Sequence, residues 1–308
     1  MKIVVLEKIE ISAEQKARLE KCGQVEYFDN STQEEAVIRT KDADVAVVNW
    51  VDPTDFILSM KNPSLIALMS TGYAWIQHRE QARKNGCLIA NIPDFATEAV
   101  AEHIVGLILS SSKKITIGDR EIRGGLKRRG TLRGFELHNK KAGIIGLGKI
   151  GKRVAEILQG GFGMEIITYN RTPKNSPNIK DVDLDTLLSE SDIVCVTCSL
   201  TSEATNMIDC KKLQLLKQDA VVVGTTWGVV KATAISKFLN DRPDVLFGFD
   251  AAIEGDDINL KQNLLSQQNI TLTPHIAFDT NEALIRQVDI CISNIEAFVT
   301  RKEKNVIN

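Results

Sequence analysis

Short apolar runs alternate with helix-length amphipathic stretches along the whole chain. The runs lack in-and-out alternation, which is typical of parallel strands buried on both faces of a sheet. The pattern predicts strands at Ile3–Leu6, Val45–Val48, Leu65–Met69, Cys87–Ala90, Ala142–Ile145, Glu165–Tyr169, Ile193–Val196, Ala220–Val223 and Val245–Phe249. It predicts helices between them, among others at Ala13–Lys21, Ile76–Lys84, Lys149–Leu158 and Ala234–Leu239. Repeated strand–helix alternation indicates an α/β fold with right-handed crossovers.

Two helical stretches stand apart from this alternation. The first, from Thr97 to about Arg123, has no strand to follow, so we expect it to lead from one α/β domain into another. The second, Phe278–Val299, follows the last strand and is expected to return the chain to the first domain. We therefore predict two Rossmann-like, doubly wound domains with a cleft between them. One comprises residues 1–98 and 278–308, and the other residues 99–277.

Charge and hydropathy narrow the possible partners. The 308 residues carry 38 Lys plus Arg and 40 Asp plus Glu, a formal charge of -2, so no general electrostatic attraction favours nucleic acid or acidic membrane. A basic stretch, Arg120 to Arg133, contains no aromatic residue and is interpreted as a solvated loop. No apolar run approaches the ~18 residues of a membrane span. Glu7 interrupts the N-terminal apolar run too early for a signal peptide, so we expect a cytoplasmic protein.

Six scattered cysteines suggest neither disulfides nor a metal site. Cys195 and Cys198 have the spacing of a metal-binding pair, but no second pair or histidine cluster completes a site. We interpret them as buried free thiols and predict no metal.

A glycine-rich turn follows the strand predicted at Ala142–Ile145. It contains Gly146, Gly148, Lys149, Ile150 and Gly151 and leads into a helix. The first glycine permits a tight turn, the second lets a pyrophosphate approach the backbone, and the third lets the helix pack closely on the strand. The helix N-terminus then offers N–H donors and a positive dipole end to the phosphates. The strand–turn–helix–strand context favours dinucleotide binding over a purely structural turn.

The end of the next strand bears on the choice of dinucleotide. An NAD site usually has an acidic residue there, which binds the ribose 2′-hydroxyl, but this chain has Asn170. Arg171, Thr172 and Lys174 follow and could supply charge and donors for a 2′-phosphate. We therefore predict NADP, with NAD as the alternative; a solvated Arg and Lys in a loop is the plainer interpretation.

Several motifs together resemble the D-isomer-specific 2-hydroxyacid dehydrogenases, the family of glyoxylate/hydroxypyruvate reductases, 3-phosphoglycerate dehydrogenases and formate dehydrogenases. Beside the glycine turn and the terminal helix, they are Ser70–Tyr73, Asn91–Pro93, Thr97–His103 and Thr273–Ala277. The resemblance covers nearly the whole chain. It implies a substrate domain at residues 1–98 and 278–308, and a dinucleotide-binding domain at residues 99–277. It also implies hydride transfer between a nicotinamide and a carbonyl or hydroxyl carbon of a small molecule.

The resemblance assigns the proton chemistry to His275. An imidazole suits this role because its ordinary pKa lies near 6.5. Asp250 is implied to lie near the nicotinamide. A second acid should orient His275, and Asp256 is favoured over Glu254, although an exposed acidic loop is an equal alternative. His103 matches the family pattern only as a packing position.

The family's substrate-binding arginine is missing. Trp227 stands in its place, two residues after Thr225, which is expected to contact the cofactor. An indole has one N–H and no charge, so an oxoacid would lose its main electrostatic anchor. The backbone amides of Gly72 and Tyr73, which hold the substrate carboxylate in relatives, remain available. We therefore expect a dehydrogenase with divergent specificity; the alternative is an inactive NAD(P)-binding sensor or partner-binding protein. The resemblance also implies a homodimer formed through the cofactor domain, with a contribution from Thr97–Arg123.

Overall fold

The computed structural model describes residues 1–73, 75–125, 132–174, 176, 179–250 and 258–308. These residues form two compact units. Unit 1 comprises Met1–Ala96 and Asp279–Asn308, and unit 2 comprises Thr97–Phe278.

The described strands and helices alternate as an α/β fold requires. The strands are β1 (Lys2–Val5), β2 (Gln24–Tyr27), β3 (Val45–Val48), β4 (Ser64–Leu68), β5 (Cys87–Ala90), β6 (Lys141–Ile145), β7 (Glu165–Tyr169), β8 (Lys180–Asp181), β9 (Ile193–Val196), β10 (Val221–Gly224), β11 (Leu246–Asp250) and β12 (Ile270–Thr273). The helices are α1 (Ala13–Cys22), α2 (Gln33–Thr40), α3 (Arg79–Lys84), α4 (Thr97–Ser112), α5 (Ile115–Arg123), α6 (Lys149–Phe162), α7 (Leu184–Glu190), α8 (Cys210–Leu213), α9 (Ala232–Asp241), α10 (Ile258–Ser266) and α11 (Asn281–Val299).

Unit 1 is built on a five-stranded parallel sheet with the order β2-β1-β3-β4-β5. β3 and β4 are buried along their whole length, which is the physical reason for their unbroken apolar sequences. α11 packs against α1 and β4 in this unit. Arg18 of α1 ties the two helices together by ion pairs to Asp289 and Glu296 of α11, at 2.9 and 3.2 Å.

Unit 2 is built on a seven-stranded parallel sheet with the order β12-β11-β10-β9-β6-β7-β8. The chain order reverses beside β6, so the crevice at this reversal opens at the carboxyl ends of β6 and β9, where dinucleotides bind in such sheets. α4 lies against the other half of the sheet. A Cβ on Gly248 of β11 would come within 3.3 Å of Leu107, so glycine permits this close packing.

The predicted fold class, two Rossmann-like α/β domains, is confirmed in its parallel doubly wound sheets. Some element bounds were wrong. The single helix predicted from Thr97 to Arg123 is two helices, because Lys114 adopts a left-handed conformation with φ +55° between them. The helices predicted to begin at Ile76 and Phe278 begin later, at Arg79 and Asn281.

Burial agrees with the interpretation of Cys195 as a buried free thiol. All six cysteines are free, and burial raises the pKa of Cys195 to about 12. Cys198 is only partly buried. Among the described residues, no group of His, Cys, Asp and Glu side chains could hold a metal ion. None of the described helices has the length and apolar character needed to cross a membrane.

Candidate active site

The glycine turn lies between β6 and α6, at the reversal of strand order in unit 2. Gly146 has φ +94°, and a Cβ there would lie 2.6 Å from the Cα of Cys198, so only glycine fits. A Cβ on Gly151 would clash with the Gly146 carbonyl oxygen, so the third glycine lets α6 begin directly on the turn. Thr197 stabilises this contact by donating its hydroxyl to the Gly146 oxygen at 2.8 Å.

Gly148 differs from the other two glycines because its surroundings are open. No atom lies within 4 Å of a Cβ built there, and its φ of −77° is available to any residue. Gly148 is the N-cap of α6 but has no side chain to bond the first helical N–H groups. An unfilled space in front of an uncapped helix N-terminus fits the pyrophosphate of a dinucleotide. The residues present therefore suit such a cofactor.

Two side chains of the segment after β7 bond Leu147, in the middle of the glycine turn. Asn170 accepts the Leu147 N–H at 2.6 Å, and Lys174 donates its ammonium to the Leu147 oxygen at 2.7 Å. Lys174 was expected to offer its charge to a 2′-phosphate, whereas the structure bonds it to the turn. Asn170 also donates to Asp181 of β8 at 3.0 Å. This corrects the premise that no carboxylate lies at this position: Asp181 lies beside the asparagine.

Arg171 and Thr172 lie between Asn170 and Lys174, the two residues that bond Leu147. The Arg171 side chain is 76% exposed and lies 3.7 Å from the Glu203 carboxylate. Exposed ion pairs of this kind contribute little, so the guanidinium can exchange Glu203 for another anion.

Asp250, at the end of β11, holds the loop that carries His275. Its side chain is 2% exposed, and it accepts hydrogen bonds from the Thr273 hydroxyl at 2.6 Å and from the N–H groups of Ile276 and Ala277 at 2.9 and 2.7 Å. Between these anchors His275 is exposed and left-handed, with φ +58°. Its ring meets Phe278 edge-on, with 5.7 Å between ring centroids. Asp250 was predicted as a cofactor residue; the contacts described are with the His275 loop.

His103 was missed as a polar participant. It was assigned only a packing position, but its Nε2 lies 2.9 Å from the Thr273 hydroxyl and 3.7 Å from the Asp250 carboxylate. A histidine on the apolar face of a helix was the available signal, since a buried polar group needs a hydrogen-bond partner.

Trp227 follows β10 and packs into the core of unit 2. The indole is half-buried and meets Phe249 of β11 edge-on, with 5.5 Å between ring centroids. Thr225 is half-buried in the same loop. The turn, Thr225, Trp227, Asp250 and His275 thus all follow strands of one parallel sheet, so they share its carboxyl edge. The predicted partners of His275, Asp256 and Glu254, lie outside the described residues.

The predicted substrate loop belongs to unit 1 and follows β4. Its carbonyl groups are tied down: Gly72 accepts from the Ser70 hydroxyl at 2.9 Å, and Tyr73 accepts from Arg79 at 2.7 Å. Within the described residues, the Gly72 and Tyr73 N–H groups have no acceptor, and both residues are exposed. Two free N–H groups in sequence are suited to an anion.

A cavity of about 520 Å³ lies at the ends of β1, β2 and β3 in the same unit. Glu7 organises its rim, because its buried carboxylate accepts N–H groups of Asn49, Trp50 and Val51 at 2.6 to 2.9 Å. Trp50 is 74% exposed there. The sequence pattern did not indicate a site at these residues.

Comparison with known protein families identifies the family of this chain. Residues 105–277 match the family model described as "D-isomer specific 2-hydroxyacid dehydrogenase, NAD binding domain". The chain belongs to the D-isomer-specific 2-hydroxyacid dehydrogenase family. The predicted resemblance is therefore confirmed, and residues 105–277 are its NAD-binding domain.

Relatives of this dehydrogenase family match over nearly their whole length. The glyoxylate reductase of Pyrococcus furiosus is 32% identical over 298 residues, which cover 91% of this chain and 87% of the relative. A solved acyclic imino acid reductase in complex with NADPH and D-Arg is 27% identical, with a TM-score of 0.89 and full coverage of both chains. The apo D-lactate dehydrogenase of Escherichia coli is 25% identical, with a TM-score of 0.83 and full coverage. The chain is thus an NAD(P)-dependent oxidoreductase of the D-2-hydroxyacid dehydrogenase type.

Proposed function

We propose that this dehydrogenase reduces a carbonyl or imine carbon of a small molecule with NADPH, and that His275 donates the proton. The observation that carries the proposal is the Asp250 anchor, which presents an exposed imidazole at the sheet edge that also bears the glycine turn. A nicotinamide dinucleotide on that turn would supply the hydride. The imine alternative is supported by the solved relative, whose title describes an imino acid reductase.

His275 is suited to proton donation by its surroundings. The imidazole is exposed, so it can recover a proton from solvent after each turnover. The loop around it is held through the N–H groups of Ile276 and Ala277, and in the part of the chain that the structure describes the ring nitrogens have no hydrogen-bond partner. Asp256 as the acid that orients the ring follows from the family resemblance alone.

Trp227 gives the site its proposed specificity. Because this position lacks the family's arginine, the substrate has no guanidinium to bind its carboxylate and carbonyl oxygen here. Within the described residues, the Gly72 and Tyr73 N–H groups of unit 1 have no acceptor, so they are available to an acidic group. A substrate without a free carboxylate beside the indole fits the absence of this arginine.

Changing Trp227→Arg is expected to create activity towards 2-oxoacids. A charge-assisted, bidentate contact contributes roughly 1.5–3 kcal/mol, so kcat/KM for glyoxylate or pyruvate should rise about 10–100-fold. Loss of the edge-on contact with Phe249 should lower stability by about 1 kcal/mol. Trp227→Phe, which keeps an aromatic ring but adds no charge, is the control. A folded arginine variant without any gain would contradict the substrate switch.

The preference for NADPH depends on Arg171. Of the two cationic residues predicted to bind a 2′-phosphate, Lys174 is bonded to the turn, which leaves Arg171 available. We expect Arg171→Ala to weaken NADPH binding about 10-fold and to leave NADH binding unchanged, as titrations would measure. Glu203→Gln, which removes the competing anion, should tighten NADPH. If the unaltered protein binds NADH more tightly than NADPH, the preference is wrong.

The quaternary structure and compartment follow the family expectation. We propose a cytoplasmic homodimer formed through unit 2. α5 supports this, because it has no buried residue in the chain alone and exposes Ile115 and Ile122, at 58% and 62%. A monomer in analytical ultracentrifugation would rule the dimer out.

A further inference from the structure

The His275 loop is held by a polar chain that begins on a different element, helix α4. Thr273 donates its single hydroxyl proton to the Asp250 carboxylate at 2.6 Å. It can therefore only accept from His103, whose Nε2 lies 2.9 Å away. This fixes the proton of the neutral imidazole on Nε2, and the chain runs from His103 through Thr273 to Asp250.

The chain acts on a backbone that needs support. A left-handed φ of +58° is strained for a residue with a Cβ, and such strain persists only where neighbouring contacts enforce it. Asp250 bonds the N–H groups of Ile276 and Ala277 directly after His275, and the Thr273 hydroxyl two residues before it. Hydrogen bonds to the Asp250 carboxylate thus hold the chain on both sides of His275.

His103 is well placed to orient that carboxylate. α4 packs on β10, β11 and β12, and Leu107, one helical turn after His103, lies against Gly248 of β11. The imidazole is 21% exposed and Asp250 is 2% exposed, so solvent competes little for these bonds. Without the imidazole, the Thr273 hydroxyl loses its hydrogen-bond donor, and the Asp250 carboxylate loses the ring nitrogen that lies 3.7 Å from it.

We propose that His103 is a positioning residue for catalysis: through Thr273 and Asp250 it holds the left-handed loop that presents His275. The proposal rests on the proposed function in taking His275 as the proton donor. Among the residues described, His103 bonds Thr273 and lies near Asp250, so it acts through these two residues.

Exchange of two backbone amide protons tests the structural half without any turnover. In the unaltered protein, the Ile276 and Ala277 amides should exchange slowly with deuterium. His103→Leu should accelerate their exchange at least about 10-fold, and His103→Gln, which keeps an N–H donor at similar reach, should restore protection. Thr271→Val is the matched control, because this hydroxyl is on β12 but bonds Thr116 of α5 at 3.1 Å. Unchanged exchange in a folded His103→Leu variant would overturn the proposal.

Steady-state kinetics test the catalytic half. His103→Leu should lower kcat about 10–30-fold, since small misplacements of a reacting group cost about that much, with KM for NADPH unchanged. In a Thr273→Val background the same change should add almost nothing, because the chain is already broken. Faster exchange with an unchanged kcat would overturn the positioning role. His275→Gln in the same assay separates the two proposals: if that variant retains full turnover, the proposed function fails, while amide exchange still decides on His103.

Discussion

Replacing His275 with glutamine is expected to lower kcat for reduction by roughly 10²–10⁴, the usual contribution of general acid catalysis. Glutamine can hydrogen-bond a substrate oxygen but cannot give it a proton near neutral pH. The affinity for NADPH should stay unchanged, because the glycine turn follows a different strand. NADPH oxidation with a panel of 2-oxoacids, aldehydes, uncharged ketones and imine-forming mixtures, beside a binding titration, measures both quantities.

Substitution of a second histidine controls for general effects of replacing histidine with glutamine. His138 is exposed in the same unit, outside the Asp250 network, so His138→Gln should leave kcat at its original value. Full turnover by the His275 variant would contradict the imidazole as proton donor. Absence of turnover in the unaltered protein across the whole panel, with NADPH still bound, would favour a cofactor-binding sensor.

Changing Gly148→Val is expected to abolish cofactor binding while leaving the fold intact. The φ of −77° suits valine, and no atom lies within 4 Å of the new Cβ, so the melting temperature should not fall. The added methyl groups would occupy the space in front of the α6 N-terminus. We expect the Kd for NADPH and NADH to rise about 100-fold, equivalent to about 2.7 kcal/mol, in calorimetric titrations.

The same helix offers a control for this substitution. Gly160 lies near the other end of α6, also with no atom within 4 Å of a new Cβ. Gly160→Ala should keep the coenzyme affinity and stabilise the helix by about 0.5–1 kcal/mol. Tight NADPH binding by the Gly148 variant would show that the dinucleotide does not rest on this turn.

The glycine turn was predictable because its glycines stand at a characteristic spacing between an apolar run and a helix. A Cβ on Gly151 would meet the Gly146 carbonyl oxygen nearby in the chain, whereas Gly146 itself is required by Cys198, which follows β9. The motif around His275 was equally visible as a sequence pattern. Strands β2, β8 and β12 were not predicted, because these edge strands are partly exposed and lack the apolar run that marks a central strand.

The electrostatics beside the cofactor turn show where sequence reasoning fell short. Asn170 was identified correctly as the residue that directly follows β7. The carboxylate of Asp181 comes to it only because the two-residue strand β8 pairs with β7. Lys174, counted as a phosphate ligand from its charge, bonds the turn instead. A sequence shows which residues are charged, but the groups that they contact depend on which strands become neighbours.

By itself, the amino-acid order determined the α/β class, the phosphate-binding turn and the family, since unbroken apolar runs and closely spaced glycines are visible along the chain. Folding in three dimensions decided how the proposed proton donor is held. His103 and Thr273 are 170 positions apart, and their contact exists only because α4 lies across β12. A hydrogen bond needs its two atoms within about 3 Å, and no local pattern encodes that meeting.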